Sequence, residues 1–531
     1  MTRIPAGLAP ALARLLGSLI ADDEPGLAVG VYQGGELAAC ATAGQAVVEH
    51  GVPVTENTTF DLASVSKHMT ATCILLLARE GLIDLDADIR AALPELSLAE
   101  PVTLRQCLTH TAGLRDYCAL YELTGTPMAG MTENDAMRLI AGQRELDFPS
   151  GTAFSYSNTG YVLAAALVRR VTGSGFAPFA RERVFGPLGM TATHFRDDVS
   201  LLVPGLANGY LAGPGGNGFR RRDVTENVVG DGAAVTTLAD LAGWHAFLAT
   251  GAVLGPDIRD GLLARQLLAD GTRLGYALGL DAIEIAGQAA WWHSGSWAGY
   301  RAALIYLAER QAGVTVLANR DDRYPAHVAL AAAHALLAEV DPGSVYAALA
   351  GVPEPAELAR REAAAIAGLW HEPSQDVYLN LAADDGALTD GAGHRFRLAA
   401  DGRWHGLGGA AGQAYALAGR RLTALWGLSG RAEGRYERVL ATQAVSSQSA
   451  PWGIFRNEEL GADAVLAPGT HGELTIAIGL ARPRGLIPAR PGTWRTSASD
   501  GGLTVRVDPA NPDRLLISME AARRLRFDRV G

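Results

Sequence analysis

The chain has 531 residues, 48% of them hydrophobic and 19% charged, with a net charge of −11; it is too long for one core and has the make-up of a globular protein of two to three domains. The acidic balance argues against a nucleic-acid partner or an anionic membrane surface. Its cysteines, Cys40, Cys73, Cys107 and Cys118, all lie early in the chain without CxxC spacing, which speaks against a disulfide framework or a zinc site and for free thiols in a reducing compartment.

The first predicted element is an amphipathic helix over 8–20, with Leu8, Leu12, Leu15, Leu16 and Leu19 at helical spacing. Arg14 interrupts it and an acidic run follows, so it does not read as an export signal. No stretch of ~20 uncharged apolar residues is present to span a bilayer, and a cytoplasmic location is expected.

The next element carries chemistry. Lys and Arg together number 45, and Lys67 is the only lysine. Arginine stays protonated at any working pH, whereas a desolvated lysine can give up its proton and act as a base. Ser64 stands three residues earlier. From Val65 the chain is apolar nearly all round through Leu77, and Glu80-Gly81 closes it, which predicts a buried central helix. Positions i and i+3 share a face, so Ser64 and Lys67 can meet. A helix N-terminus would offer N–H groups to a developing oxyanion. His68 reads as a hydrogen-bonded structural residue.

Ser-x-x-Lys alone is a weak signal, and further residues strengthen it. Tyr156-Ser157-Asn158 follows a turn-rich stretch; a phenol beside a lysine can relay a proton, and a carboxamide can bind a substrate carbonyl. His293-Ser294-Gly295 leads a strand-like run over 297–306, where Gly295 would let a substrate backbone approach a strand edge.

Taken together, Ser64-Val65-Ser66-Lys67, Tyr156-Ser157-Asn158 and His293-Ser294-Gly295 resemble the three motifs of the serine penicillin-recognising family, which includes class C β-lactamases, D,D-peptidases, esterases and D-aminopeptidases. Leu108-Thr109-His110-Thr111-Ala112-Gly113-Leu114 is similar to a further landmark of that family. The resemblance covers roughly 1–338 and implies an α/β catalytic domain, an antiparallel sheet flanked by a helical cluster with the site between them. It implies that Ser64 attacks the carbonyl, Lys67 takes the proton with Tyr156 assisting, and Asn158 holds the substrate. It also implies an oxyanion hole formed by the N–H groups of Ser64 and Ser296. His293 stands where β-lactamases have lysine, which points away from lactamase activity.

Beyond 338, alanine-rich helical segments over 328–340 and 356–368 give way to alternating runs with turn signals, among them 376–382, 395–399, 420–426, 473–478, 503–507 and 514–519. A linker is expected at 340–344, and two small antiparallel β-barrel domains are expected over 341–427 and 428–531. This architecture resembles the bacterial D-aminopeptidases, and implies release of N-terminal D-residues from small peptides or amides bearing a free N-terminal amine. In that branch a loop of the last domain enters the active site; the candidate here is 481–493, with Arg482, Arg484 and Arg490. The loop carries no acid to pair with an ammonium, so a carboxylate elsewhere, or a carboxylate-bearing substrate, is required. An esterase or D,D-carboxypeptidase of the same fold is an alternative, as is a penicillin-binding sensor that cannot deacylate, against which Tyr156 and Lys67 argue. A homodimer is compatible with the sequence. No metal motif is present, the glycine-rich 213–218 lacks the lysine of a phosphate loop, and no cofactor is expected.

Overall fold

The computed structural model describes residues 4–5, 7–213, 218–323, 325–349, 356–373, 377–384, 386–390, 394–398, 403–406, 413–418, 421–426, 431–439, 451–469, 473–496, 502–519 and 521–530. Most of the glycine-rich run at 213–218 lies outside them.

The N-terminal part is built on a six-stranded antiparallel sheet. Its strands are β1 (Leu27–Gln33), β2 (Glu36–Ala43), β3 (Asp281–Ile285), β4 (Gln288–Trp297), β5 (Tyr300–Leu307) and β6 (Ala312–Ala318), in the spatial order β3-β4-β5-β6-β1-β2. The interior strand β1, next to the edge strand β2, is buried from Leu27 to Tyr32 because both of its faces are covered. Val29 and Val31 pack with α1 (Leu8–Leu19) on one side, while Ala28 and Tyr32 join the helical cluster on the other. At the centre of that cluster is α2 (Lys67–Arg79), buried on every face from Lys67 to Leu77, as expected of a helix apolar all round.

Beside α2 lie α3 (Tyr117–Thr124) and α4 (Thr159–Thr172). On the far side of the sheet, α5 (Pro325–Ala338) packs with α1. The segment expected as a linker at 340–344 instead starts a helix, Pro342–Leu349. Asp341 accepts the Ser344 N–H at 3.0 Å, and proline fits a first helical turn, so residues that punctuate a loop here cap a helix.

Two closed barrels follow, each of eight sequential antiparallel strands. The first runs from Gly368–Glu372 to Arg431–Arg438, and the second from Gly453–Asn457 to Ala522–Arg529. The division expected at 427/428 falls ahead of the strand that closes the first barrel, since Arg438 pairs with Trp370. The second barrel docks on the catalytic part through α3: Leu120 and Leu123 are wholly buried in one cluster with Phe455, Trp494 and Phe527. No helix among the described residues is long and apolar enough to cross a membrane.

Candidate active site

Ser64 is presented by a tight turn, Ala63–Ser66, that precedes α2 rather than by the helix itself. Ala63 has φ +46°, a left-handed conformation that non-glycine residues seldom adopt and that needs support. Asp61 Oδ1 accepts the Ala63 N–H at 2.7 Å. The Ser66 hydroxyl donates to the Ala63 carbonyl at 2.6 Å and accepts the Ala234 N–H at 3.1 Å. Strand β4 closes on the same turn. A Cβ at Gly295 would lie 2.1 Å from the Leu62 carbonyl oxygen, so the close approach that requires glycine there is made by the chain itself, at the entry to the Ser64 turn.

Lys67 is fully buried. Its Nζ lies 2.9 Å from Ser64 Oγ, 2.8 Å from Asn158 Oδ1 and 2.5 Å from the Asp231 carbonyl oxygen. The last two partners can only accept. In the neutral amine they take two N–H groups and leave the lone pair facing the Ser64 hydroxyl, the arrangement a general base requires. The Tyr156 ring stands 5.0 Å from Nζ.

Asn158 sits at the start of α4, and its N–H donates to Asp116 Oδ2 at 2.6 Å. Asp116 Oδ1 caps α3 through the N–H groups of Cys118 and Ala119. The backbone N–H of Asp116 donates to the Ala521 carbonyl of the second barrel at 2.7 Å. Tyr117, next in line, donates its hydroxyl to Asp231 Oδ2 at 3.0 Å.

His293 lies on β4, its Nδ1 2.6 Å from the Ser294 carbonyl and its Nε2 3.0 Å from the Tyr276 hydroxyl. A carbonyl cannot donate, so Nδ1 carries the proton and Nε2 in the neutral ring accepts from Tyr276. The partner strand β3 ends its pairing at Trp292, which leaves the His293–Trp297 edge beside Ser64 clear of β3. His68 differs from expectation: it stacks on Trp244 at 5.0 Å, and neither ring nitrogen has a hydrogen-bond partner among the described residues. Burial holds its pKa well below the usual histidine value.

Two carboxyls behind the site are perturbed by burial, which disfavours their charge. Asp61 is pushed up to about 6. Asp231 is raised as well, with the nearby Lys67 charge opposing the shift.

Ser64, Tyr156, Asn158 and Ser296 line two cavities that meet at the serine. The smaller, about 210 Å³, extends toward Glu226, Asp231 and Trp297. The larger, about 400 Å³, extends along His293 and Ser294 toward Asp281, Glu122 and a hairpin of the second barrel that contributes Met519, Ala521 and Arg523. That hairpin is anchored by buried charge. The Arg523 N–H donates to Asp147 Oδ1 at 2.8 Å and its guanidinium to Ser155 Oγ at 3.0 Å, while Arg115 pairs with Asp147 at 3.4 Å and with Glu459 at 2.9 Å.

The segment 481–493 lies elsewhere. Residues Arg484–Arg490 form a barrel strand, and Arg482 is exposed. Arg484 reaches the Glu122 carbonyl at 3.5 Å, on the rim of the larger cavity. Neither Arg482 nor Arg490 lines either cavity at Ser64. Sequence reasoning missed Asp116, Tyr117, Asp231 and the 519–523 hairpin. Asp116 and Tyr117 directly follow the Leu108–Leu114 landmark, which was the available signal.

With this fold and this constellation in place, the class is settled. Residues 12–339 match the Beta-lactamase family, and the chain belongs to it. It is 30% identical over 352 residues to a protein named D-aminopeptidase from Gluconobacter oxydans, a match covering 66% of this chain and 63% of that protein. A D-aminopeptidase of Cereibacter sphaeroides is 29% identical over 367 residues, covering 69% of this chain and 67% of its own length. Among solved structures, an octameric penicillin-binding protein homologue from Pyrococcus abyssi superposes with a TM-score of 0.56 at 19% identity, covering 90% of this chain and 98% of that one.

Proposed function

We propose that this chain hydrolyses the amide bond that follows an N-terminal D-amino acid, through an acyl-enzyme on Ser64. The observation that carries the reading is the 2.9 Å approach of Lys67 Nζ to Ser64 Oγ, with Asn158 and Asp231 aiming the lysine. Kinship with proteins named D-aminopeptidase supports the substrate class.

In this mechanism the Ser64 oxygen bonds to the scissile carbonyl carbon while its proton passes to neutral Lys67. The N–H groups of Ser64 and Ser296 hold the oxyanion. Collapse breaks the C–N bond, and the leaving amine takes the proton from Lys67 by way of Tyr156. Water then attacks the ester, gives a proton to the same relay and releases the acid, restoring Ser64. Asn158 orients both Lys67 and the substrate, and His293 fixes the strand edge along which the substrate lies.

The test is turnover of D-alanine p-nitroanilide. Wild type is expected to release p-nitroaniline faster from the D- than from the L-isomer and to carry one alanyl residue on Ser64 by mass spectrometry of quenched enzyme. Ser64→Ala and Lys67→Arg are expected to do neither. Undiminished turnover by Ser64→Ala rules the mechanism out.

A further inference from the structure

The two cavities that meet at Ser64 differ in size and in whether cationic side chains stand among their acids. The smaller carries Glu226 and Asp231, and no Lys, Arg or His stands among the described residues that line it. The larger mixes Asp116, Glu122 and Asp281 with His293 and Arg523. An enzyme that removes one residue from a free N-terminus needs a subsite that ends after a single residue, and another that accepts a remainder of any length. The first must also meet an ammonium with a carboxylate, because a buried charge without a partner is costly.

We propose that the smaller cavity is the acyl subsite, where Asp231 and Glu226 hold the α-ammonium of the residue to be released, and that the larger cavity takes the leaving group. The proposal rests on the aminopeptidase reading above and specifies which end of the substrate goes where.

The acids of the smaller cavity are held in place. Asp231 Oδ2 accepts the Tyr117 hydroxyl at 3.0 Å, and the carbonyl of the same residue holds Lys67. The ammonium receptor and the base are thereby fixed through one residue. Glu226 is 6% exposed; its Oε2 accepts the Trp297 indole N–H at 3.2 Å and the Thr225 N–H at 3.1 Å, and its Oε1 accepts the Thr225 hydroxyl at 3.1 Å. Asp61 adds a third acid behind the wall: burial first, and Asp231 and Glu226 after it, push its pKa up, against the Ala63 N–H and the charge of Arg196. A substrate ammonium in this cavity would pair with these carboxyls.

The larger cavity is less suited to a cation. Asp116 spends its oxygens on three backbone N–H groups, those of Cys118, Ala119 and Asn158, which cap α3 and hold the start of α4. Glu122 feels the opposing charge of Arg484. Arg523 stands at the end that a peptide remainder would reach.

The experiment compares kcat/KM for D-alanine p-nitroanilide with that for p-nitrophenyl propionate, which has the same acyl skeleton without the amine. Taking the ratio of the two cancels any loss common to both. Asp231→Asn and Glu226→Gln, singly and together, are expected to lower the ratio, the double variant by about tenfold to a hundredfold, as for loss of a charge-assisted hydrogen bond. Asp281→Asn in the larger cavity is expected to leave it within about threefold of wild type, inside the threefold context dependence of such effects. The proposal is overturned if the double variant keeps the wild-type ratio, however far both rates fall, or if Asp281→Asn lowers it as much. Failure of the parent reading looks different: wild type would hydrolyse the propionate ester and leave the anilide untouched.

Discussion

Asp116→Asn isolates one hydrogen bond on which the candidate base depends. The Asp116 carboxylate caps α3 with one oxygen and takes the Asn158 N–H at 2.6 Å with the other, and Asn158 in turn aims Lys67. In the variant the amide oxygen can keep the cap, but the NH₂ group then faces the Asn158 N–H, donor against donor. The residue is 5% exposed, so water offers little compensation. A buried hydrogen bond to a charged group contributes about 1.5–3 kcal/mol. If that loss falls on the orientation of Asn158 and Lys67 in the transition state, kcat drops about tenfold to 150-fold. The assay is steady-state turnover of D-alanine p-nitroanilide alongside thermal unfolding. A fall in kcat with KM little changed and a folded protein is expected. A variant that melts earlier yet keeps its kcat would refute the reasoning, because Asp116 would then serve only the helix cap.

Gly295→Ala places a methyl group where Leu62 O stands at 2.1 Å, and is expected to displace the nucleophile turn and lower kcat more than it lowers the melting temperature of the second barrel, followed by its tryptophan emission. Asp61 has its pKa raised to about 6 by burial, so the folded protein binds the extra proton between its ordinary value and that figure. The stability this supplies is complete below about pH 4 and is lost as pH rises through about 6, by up to about 3 kcal/mol. Asp61→Asn, which keeps an oxygen for the Ala63 N–H, is therefore expected to gain on wild type in urea melts between pH 4 and pH 7; a pH-independent difference counts against it. Leu123→Ala empties a wholly buried position between α3 and the second barrel, and a loss of about 2–5 kcal/mol is expected in chemical denaturation.

The features legible in the sequence were those set by neighbouring residues. The Ser64–Lys67 spacing, the all-apolar α2 and the alternation of the barrel strands follow from local periodicity. Other features depend on contacts that spacing does not encode. Asp231 holds Lys67 through its carbonyl, a group every residue possesses, so no residue type marks the role. The contact from Asp116 to Ala521 joins opposite ends of the chain. The 481–493 segment is the site loop that the resemblance implies, yet Leu486 and Ala489 are buried with exposed residues between them, the pattern of a strand that follows the barrel wall past a bulge. His68 reads from the sequence as a hydrogen-bonded residue; it instead stacks on Trp244, with no partner for its ring nitrogens among the described residues. The strand Arg431–Arg438 joins the first barrel by pairing with Trp370 and His371, a long-range contact that local spacing does not encode.

The Ala521 carbonyl that receives the Asp116 N–H also has a consequence in time. The ribosome makes Ser64, Lys67, Tyr156 and His293 well before the hairpin that walls the larger cavity and braces Asp116. At ~5–20 residues per second the interval is roughly tens of seconds. Through that interval α3 has no barrel core to receive Leu120 and Leu123, and Ser64 stands in a cleft that lacks its hairpin wall. The larger cavity is thus walled in full only when the last hairpin of the second barrel is made.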